Sequence, residues 1–175
     1  LFPLVHLGRA WLAYWLIPHD IDMMLWTTGS RVVQVRAYAR AGGRTREDFI
    51  LAVLTFANGA IGVIENIWGT PNIAGRPQNQ LFTVRGTAGA VEVLPYESGV
   101  ALYNAGTVAY PDTISAPVVQ GQVEGPSRGL IRHFAGVIQD LWAPLITPMD
   151  GQAVIRVASA IDHSLEEGRD IDISE

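Results

Sequence analysis

Phe49–Trp68 reads FILAVLTFANGAIGVIENIW, and this stretch decides the fold. Two runs rich in β-branched and aromatic residues flank Asn58-Gly59, a dipeptide that tolerates the positive φ of a tight hairpin turn. The expected strands are Glu47 to Phe56 and Ala60 to Trp68. Phe49 to Phe56 is apolar at both sets of alternate positions, so both sheet faces are expected to be covered there, one by helices and the other by a partner. On the second strand Asn66 and Trp68 fall on one face and Glu65 on the opposite one.

Working outward, Arg31 to Arg40 alternates Val33, Val35, Ala37 and Ala39 with Gln34, Arg36, Tyr38 and Arg40, the pattern of a half-buried strand. Downstream, Leu81 to Arg85 and Ala90 to Leu94 form a second hairpin around Gly86 and Gly89. Gly99 to Tyr103 and Thr107 to Tyr110 read as short strands, and Pro111 to Pro126 as a polar loop, either a lid or a plain connection. A helix is expected from Arg128 to Trp142, capped by Ser127, with Leu130, Phe134, Val137, Ile138 and Leu141 facing a core and His133 on its surface. Thr147, Pro148 and Asp150 begin the last helix, with Val154, Val157, Ala158, Ile161 and Leu165 buried, His163 exposed and Gly168 at the end. Asp170 to Ile173 alternates like an edge strand. The fold class that follows is α+β: one mainly antiparallel sheet of about six strands with helices packed on one face. Length points to a single domain over 1–175, with an irregular lead-in at 1–10 that contains His6.

Upstream of the hairpin, Trp11 to Gly29 is a helix-length apolar run, WLAYWLIPHDIDMMLWTTG, with one polar insertion, His19-Asp20-Ile21-Asp22. Pro18 removes a hydrogen bond and is expected to kink the helix or restart it near His19. Gly29 is expected to stop it. On a helix His19 and Asp22 share a face, so the carboxylate could orient the imidazole, which is the geometry of an acid/base histidine. The plainer alternative is a helix-start residue satisfied by local hydrogen bonds.

Composition removes several function classes. Seventeen acids against twelve cations give a net charge of −5. All the cations are arginines scattered along the chain, without the basic stripe that nucleic acid requires. With no cysteine there is neither a disulfide framework nor a cysteine-based zinc site, and the chain fits the cytoplasm. His6, His19, His133 and His163 lack metal-binding spacing, so no metal is expected. No G-x-S-x-G turn supports a serine hydrolase. A glycosidase pair drawn from Asp20, Asp22 and Glu65 has nothing in its favour. No apolar run is long enough for a membrane helix, and no signal peptide opens the chain. No G-x-G-x-x-G occurs, and Gly121, Gly125 and Gly129 are evenly spaced in what reads as a loop. An apolar fraction of 49%, with a start at Leu1, suggests a fragment that lacks a dinucleotide domain, or a domain that dimerises through its sheet.

Four segments in order, HDIDMMLWTTGSRVVQV from His19, the Phe49 hairpin, LFTVRGTAGAVEV from Leu81 and ITPMDGQAVIRVASAIDHSLEEGRDIDI from Ile146, resemble the C-terminal domain of the glucose-fructose oxidoreductase, inositol dehydrogenase and MocA-like (Gfo/Idh/MocA) enzymes. The resemblance covers roughly residues 11 to 173. It implies a dihydrodipicolinate-reductase-like C-terminal fold and a separate N-terminal Rossmann domain that holds NAD or NADP, with no cofactor expected on this chain alone. It also implies a sugar, cyclitol or related polyol as substrate, and a homodimer or tetramer assembled through the sheet face. His19 would be the proton-transfer residue beside the substrate hydroxyl, oriented by Asp22. Trp68, Asn72 and Arg76, in and next to the loop after the hairpin, would lie near the substrate, with Asn66 on the strand before them. Many members carry an acid four residues before the histidine; here Trp15 stands there, a packing residue or a platform for a ring-shaped substrate. The family's catalytic lysine lies in the nucleotide-binding domain, and this chain has no lysine to replace it, so the chain alone is expected to be inactive. The competing reading is a non-catalytic ligand-binding or dimerisation module of the same fold.

Overall fold

The structure is a computed structural model, and it describes residues 12–40, 49–67, 80–93, 100, 102–103, 105–106, 108–109 and 116–174. The helices are α1 (Leu12–Trp15), α2 (Ile17–Thr28), α3 (Pro126–Ile138) and α4 (Pro148–Glu167). The strands are β1 (Val32–Arg40), β2 (Phe49–Phe56), β3 (Ile61–Ile67), β4 (Phe82–Gly86), β5 (Gly89–Val93), β6 (Leu102–Tyr103), β7 (Val108–Ala109), β8 (Val118–Val119), β9 (Gln122–Val123) and β10 (Ile171–Asp172). The chain divides into two compact units, one of residues 1–70 and 146–175 and the other of residues 71–145.

The first unit is the α+β layer pair that the Phe49 hairpin implies. Its sheet has the order β10-β1-β2-β3, antiparallel throughout. The turn between β2 and β3 closes with Phe56 N–H on Ala60 O at 2.9 Å and Gly59 N–H on Phe56 O at 2.9 Å. Asn58 Oδ1 accepts the Ala60 amide at 3.0 Å while Gly59 takes φ +87°, so each turn residue does what its side chain, or lack of one, allows. Ile50, Ala52, Leu54 and Phe56 of β2 are buried beneath the helices with Ile64 of β3. They meet Ile17 and Ile21 of α2 and Val154, Val157, Ala158 and Ile161 of α4 in one core. Helices cover one face only: on the other, Tyr38, Ile61, Val63 and Ile67 are exposed.

On β1 the strict alternation expected from the sequence breaks. The register slips between Val32 and Gln34, so Val32 joins Val35 and Ala37 in the core and Val33 is only half-buried. A bulge of this kind inserts one residue and turns the side chains before it by one position. The end of β1 carries a different device. The β10 register, Val35 on Ile171, would bring the Ala37 amide opposite the Arg169 carbonyl. The fully buried hydroxyl of Ser164 stands between them, accepting from Ala37 N at 2.9 Å and donating to Arg169 O at 2.7 Å.

α4 starts as its sequence requires. Thr147 Oγ1 accepts the Asp150 amide, and the Asp150 carboxylate accepts the Thr147 amide at 2.7 Å, a reciprocal capping box. Those bonds to Thr147 hold the exposed Asp150 carboxyl below its ordinary value. Gly168 ends the helix in the left-handed region at φ +66°.

The second unit corrects several expectations. Instead of extending one six-stranded sheet, its described strands form three separate two-stranded hairpins, β4-β5, β6-β7 and β8-β9. The last lies inside Pro111 to Pro126, the segment expected as a polar loop, lid or connection; Gln120 at φ 51° and Gly121 at φ 78° give it a turn with two positive φ values, which fits two-residue hairpins. α3 begins at Pro126 after an N-cap Gly125, two residues before the expected start, because proline at the first position is already set for helix, and Ser127 falls inside the helix rather than at its cap position. It ends at Ile138, and Leu130, Phe134, Ile138 and Leu141 are exposed rather than core-facing. His133 is more than a surface residue: it stacks on Trp142 at 5.8 Å and its Nε2 accepts the Leu145 amide. The lead-in at 1–10 lies outside the described residues.

Candidate functional site

The break between α1 and α2 builds the site. Leu16 leaves helical hydrogen bonding, and α2 restarts at Ile17 with Pro18 in its first turn and no side-chain cap, close to where the proline predicts. The His19 amide bonds Leu16 O at 3.1 Å, and the His19 side chain is exposed while Ile17 and Ile21 are fully buried. α2 ends at Gly29, φ +58°, whose amide reaches Leu25 O.

Of the expected residues, Trp15, His19, Asp22 and Asn66 are described; Trp68, Asn72 and Arg76 lie outside the described residues. Trp15 is 46% exposed and ends α1, so the helix break separates it from His19. Asp22 sits half-buried on α2 with His19, and no hydrogen bond joins the two among the described residues. The carboxylate that does have a side-chain partner is Asp20. Its Oδ2 accepts from Asn66 Nδ2 at 2.6 Å, across from α2 to β3. Asn66 pairs with the buried Ile50, which places it on the helix-covered face of the sheet. Burial pushes the Asp20 carboxyl above its ordinary value, while the Asn66 amide and the charge of His19 act the other way.

Sequence reasoning passed over Asp20 as a site residue because it does not share the face of His19 and Asp22. The signal was present in the strand parity: Gly62, Ile64 and Asn66 alternate onto one face, and a lone amide on a helix-covered face needs a polar partner. Among the described residues no group of three or more His, Asp or Glu could hold a metal ion. No described helix is long and apolar enough to cross a membrane. A shallow groove of about 330 Å³ lies between α4 and β10, lined by Arg156, Ser159, His163 and Asp172 among others, and no residue of α2 lines it.

An α+β domain that carries an exposed histidine on a helix anchored to the end of an antiparallel sheet is the class this geometry defines. Residues 10–92 match the family model of the GFO/IDH/MocA C-terminal domain, a stretch that holds α1, α2 and β1 to β4. That match, with the fold, bears out the resemblance of this chain to the C-terminal domain of the Gfo/Idh/MocA dehydrogenases. Among solved structures, GenD2 from gentamicin A biosynthesis, in complex with NAD, superposes with a TM-score of 0.68 at 22% identity, over 90% of this chain and 46% of that one. A myo-inositol dehydrogenase from Corynebacterium glutamicum gives 0.68 at 18% identity, over 96% and 51%. An aldose-aldose oxidoreductase from Caulobacter crescentus, complexed with glycerol, gives 0.64 at 22%, over 90% and 46%. At these identities the likeness is one of fold, and this chain spans about half the length of each structure. A comparison with curated protein sequences found no match.

The described residues do not fit a dinucleotide. Gly86 and Gly89 close the β4-β5 hairpin. Gly125 does follow a strand and precede a helix, but Pro126 comes next and has no amide to offer a phosphate.

Proposed function

We propose that this chain is the substrate-side half of an NAD(P)-dependent oxidoreductase acting on a sugar, a cyclitol or a related polyol, with the nucleotide held by an N-terminal Rossmann domain of the same protein. The observation that carries this reading is the family match across residues 10–92, which includes the exposed His19 and the turn that anchors it. A nicotinamide held by the Rossmann domain would supply the hydride acceptor, and His19 would take the proton of the substrate hydroxyl as the carbonyl forms and return it in the reverse direction. Asp22, on the same helix, is the carboxylate that would orient the imidazole once substrate is bound, since no hydrogen bond joins the two among the described residues. Trp15 offers its exposed ring to an apolar face of the substrate, and Trp68, Asn72 and Arg76 complete the substrate side. The exposed apolar sheet face around Val63 joins copies into a homodimer or tetramer.

The test is to assay the polypeptide that the gene encodes for NAD or NADP reduction with myo-inositol and glucose. His19→Ala abolishes turnover and leaves nucleotide affinity intact; turnover that survives the substitution refutes the assignment. A second reading, a non-catalytic ligand-binding or dimerisation module, is favoured by Trp15, which cannot relay a proton. It becomes the better account if the encoded polypeptide binds neither nucleotide.

A further inference from the structure

Burying half of a carboxylate costs more than packing an apolar side chain, and α2 does this in its first turn. The turn has little else that is directional. Leu16 at the N-cap offers no side-chain acceptor, and Pro18 has no amide to donate. Ile17 and Ile21 set the depth of the helix and the face it buries, but apolar contacts have no required bond direction that would hold the rotation finely. The bond from Asn66 Nδ2 to Asp20 Oδ2, 2.6 Å long, adds a required direction, and its donor stands on β3, the edge strand of the sheet, where it is paired to β2. His19 is the residue before Asp20, so a rotation of this turn carries the imidazole with it.

We propose that Asp20 and Asn66 are a positioning pair for His19, their hydrogen bond holding the first turn of α2 against the end of β3 so that the imidazole leaves the helix in one fixed direction. Asn66 then acts on the helix rather than on the substrate. The proposal rests on the reading of His19 as the proton-transfer residue. It adds a carboxylate that takes no proton from the substrate and an amide with one of its two N–H donors already committed to that carboxylate. His19 and Asn66 are the groups whose charge and hydrogen bond act on Asp20; Asp22 is on the same helix, and Glu65 is on the far face of β3.

Two readouts test it. In the 13C-labelled chain, the pH titration of Asp20 Cγ moves to a higher midpoint in Asn66→Ala, because the donor that favours the carboxylate is gone. In the gene-encoded polypeptide assayed with myo-inositol and NAD, Asn66→Ala lowers kcat by roughly 10- to 100-fold, as a small misplacement of a reacting group does. KM for myo-inositol stays within about twofold of wild type, since no substrate contact is lost. Asp20→Ala behaves like Asn66→Ala, and Asp20→Asn, which keeps an acceptor for Asn66 Nδ2, recovers most of the loss. A raised KM with kcat unchanged makes Asn66 a substrate ligand and overturns the proposal, as does an Asp20 midpoint indifferent to Asn66→Ala. A shifted midpoint together with full turnover in His19→Ala overturns the functional reading instead, and the positioning role with it.

Discussion

Ser164→Ala removes one oxygen and leaves two backbone groups without partners. The hydroxyl has no exposed surface, and it accepts the Ala37 amide at 2.9 Å while donating to the Arg169 carbonyl at 2.7 Å. Leaving a buried polar group unsatisfied costs about 1–3 kcal/mol. Two such groups give roughly 2–4 kcal/mol once partial relaxation of the chain toward a direct ladder bond is allowed for. Alanine in a helix interior returns about 0.5 kcal/mol relative to serine. A net loss of about 1.5–3.5 kcal/mol corresponds to a fall in Tm of about 3–14 °C for a chain of this size. Thermal unfolding followed by circular dichroism measures it, and a urea titration separates a change in stability from a change in m. Hydrogen exchange at the Ala37 amide localises the effect, because that amide loses its acceptor while its neighbours paired to β2 keep theirs. A variant within about 1 °C of wild type, or an Ala37 amide as protected as before, refutes the reasoning.

Two further outcomes follow from the same kind of accounting. Thr147→Ala removes the cap of α4 and lowers stability by about 1 kcal/mol at neutral pH. The Asp150 carboxyl is held below its ordinary value in the fold, so its contribution is present above the unfolded pKa and is lost as pH falls through the folded one; the variant therefore has a flatter acid limb in its Tm-versus-pH curve than wild type. Gly136→Ala drives a methyl into the Trp142 ring, so the ring leaves its stack on His133, and the ring-current shift at the His133 protons disappears in the proton NMR spectrum. An unchanged His133 shift sinks that account.

The hairpin from Phe49 was legible because everything it needed was local: strand residues on both sides, and a turn in which Asn58 and Gly59 have no better conformation to adopt. The start of α4 was legible for the same reason, since a cap is a contact between residues three apart. The Pro18 break and the stop at Gly29 belong to this group. The core stripe of α4 could also be read, because it is long and its period is that of a helix. Reading α3 the same way failed. Its stripe has the right period, yet it is exposed, and periodicity says only which residues share a face, never what that face meets.

What the sequence by itself determined is therefore the set of elements with local causes, together with a histidine on a helix start that resembles a dehydrogenase family. Tertiary structure alone decided which strands joined one sheet and which stayed as hairpins. It also decided that Ser164 would enter the ladder between β1 and the Arg169 carbonyl, and that Asn66 would meet Asp20 rather than stand free. Each of these is a contact between residues far apart in sequence. Such a contact depends on how two elements cross, which is set by the whole packed layer, and no window of sequence around either residue contains that information.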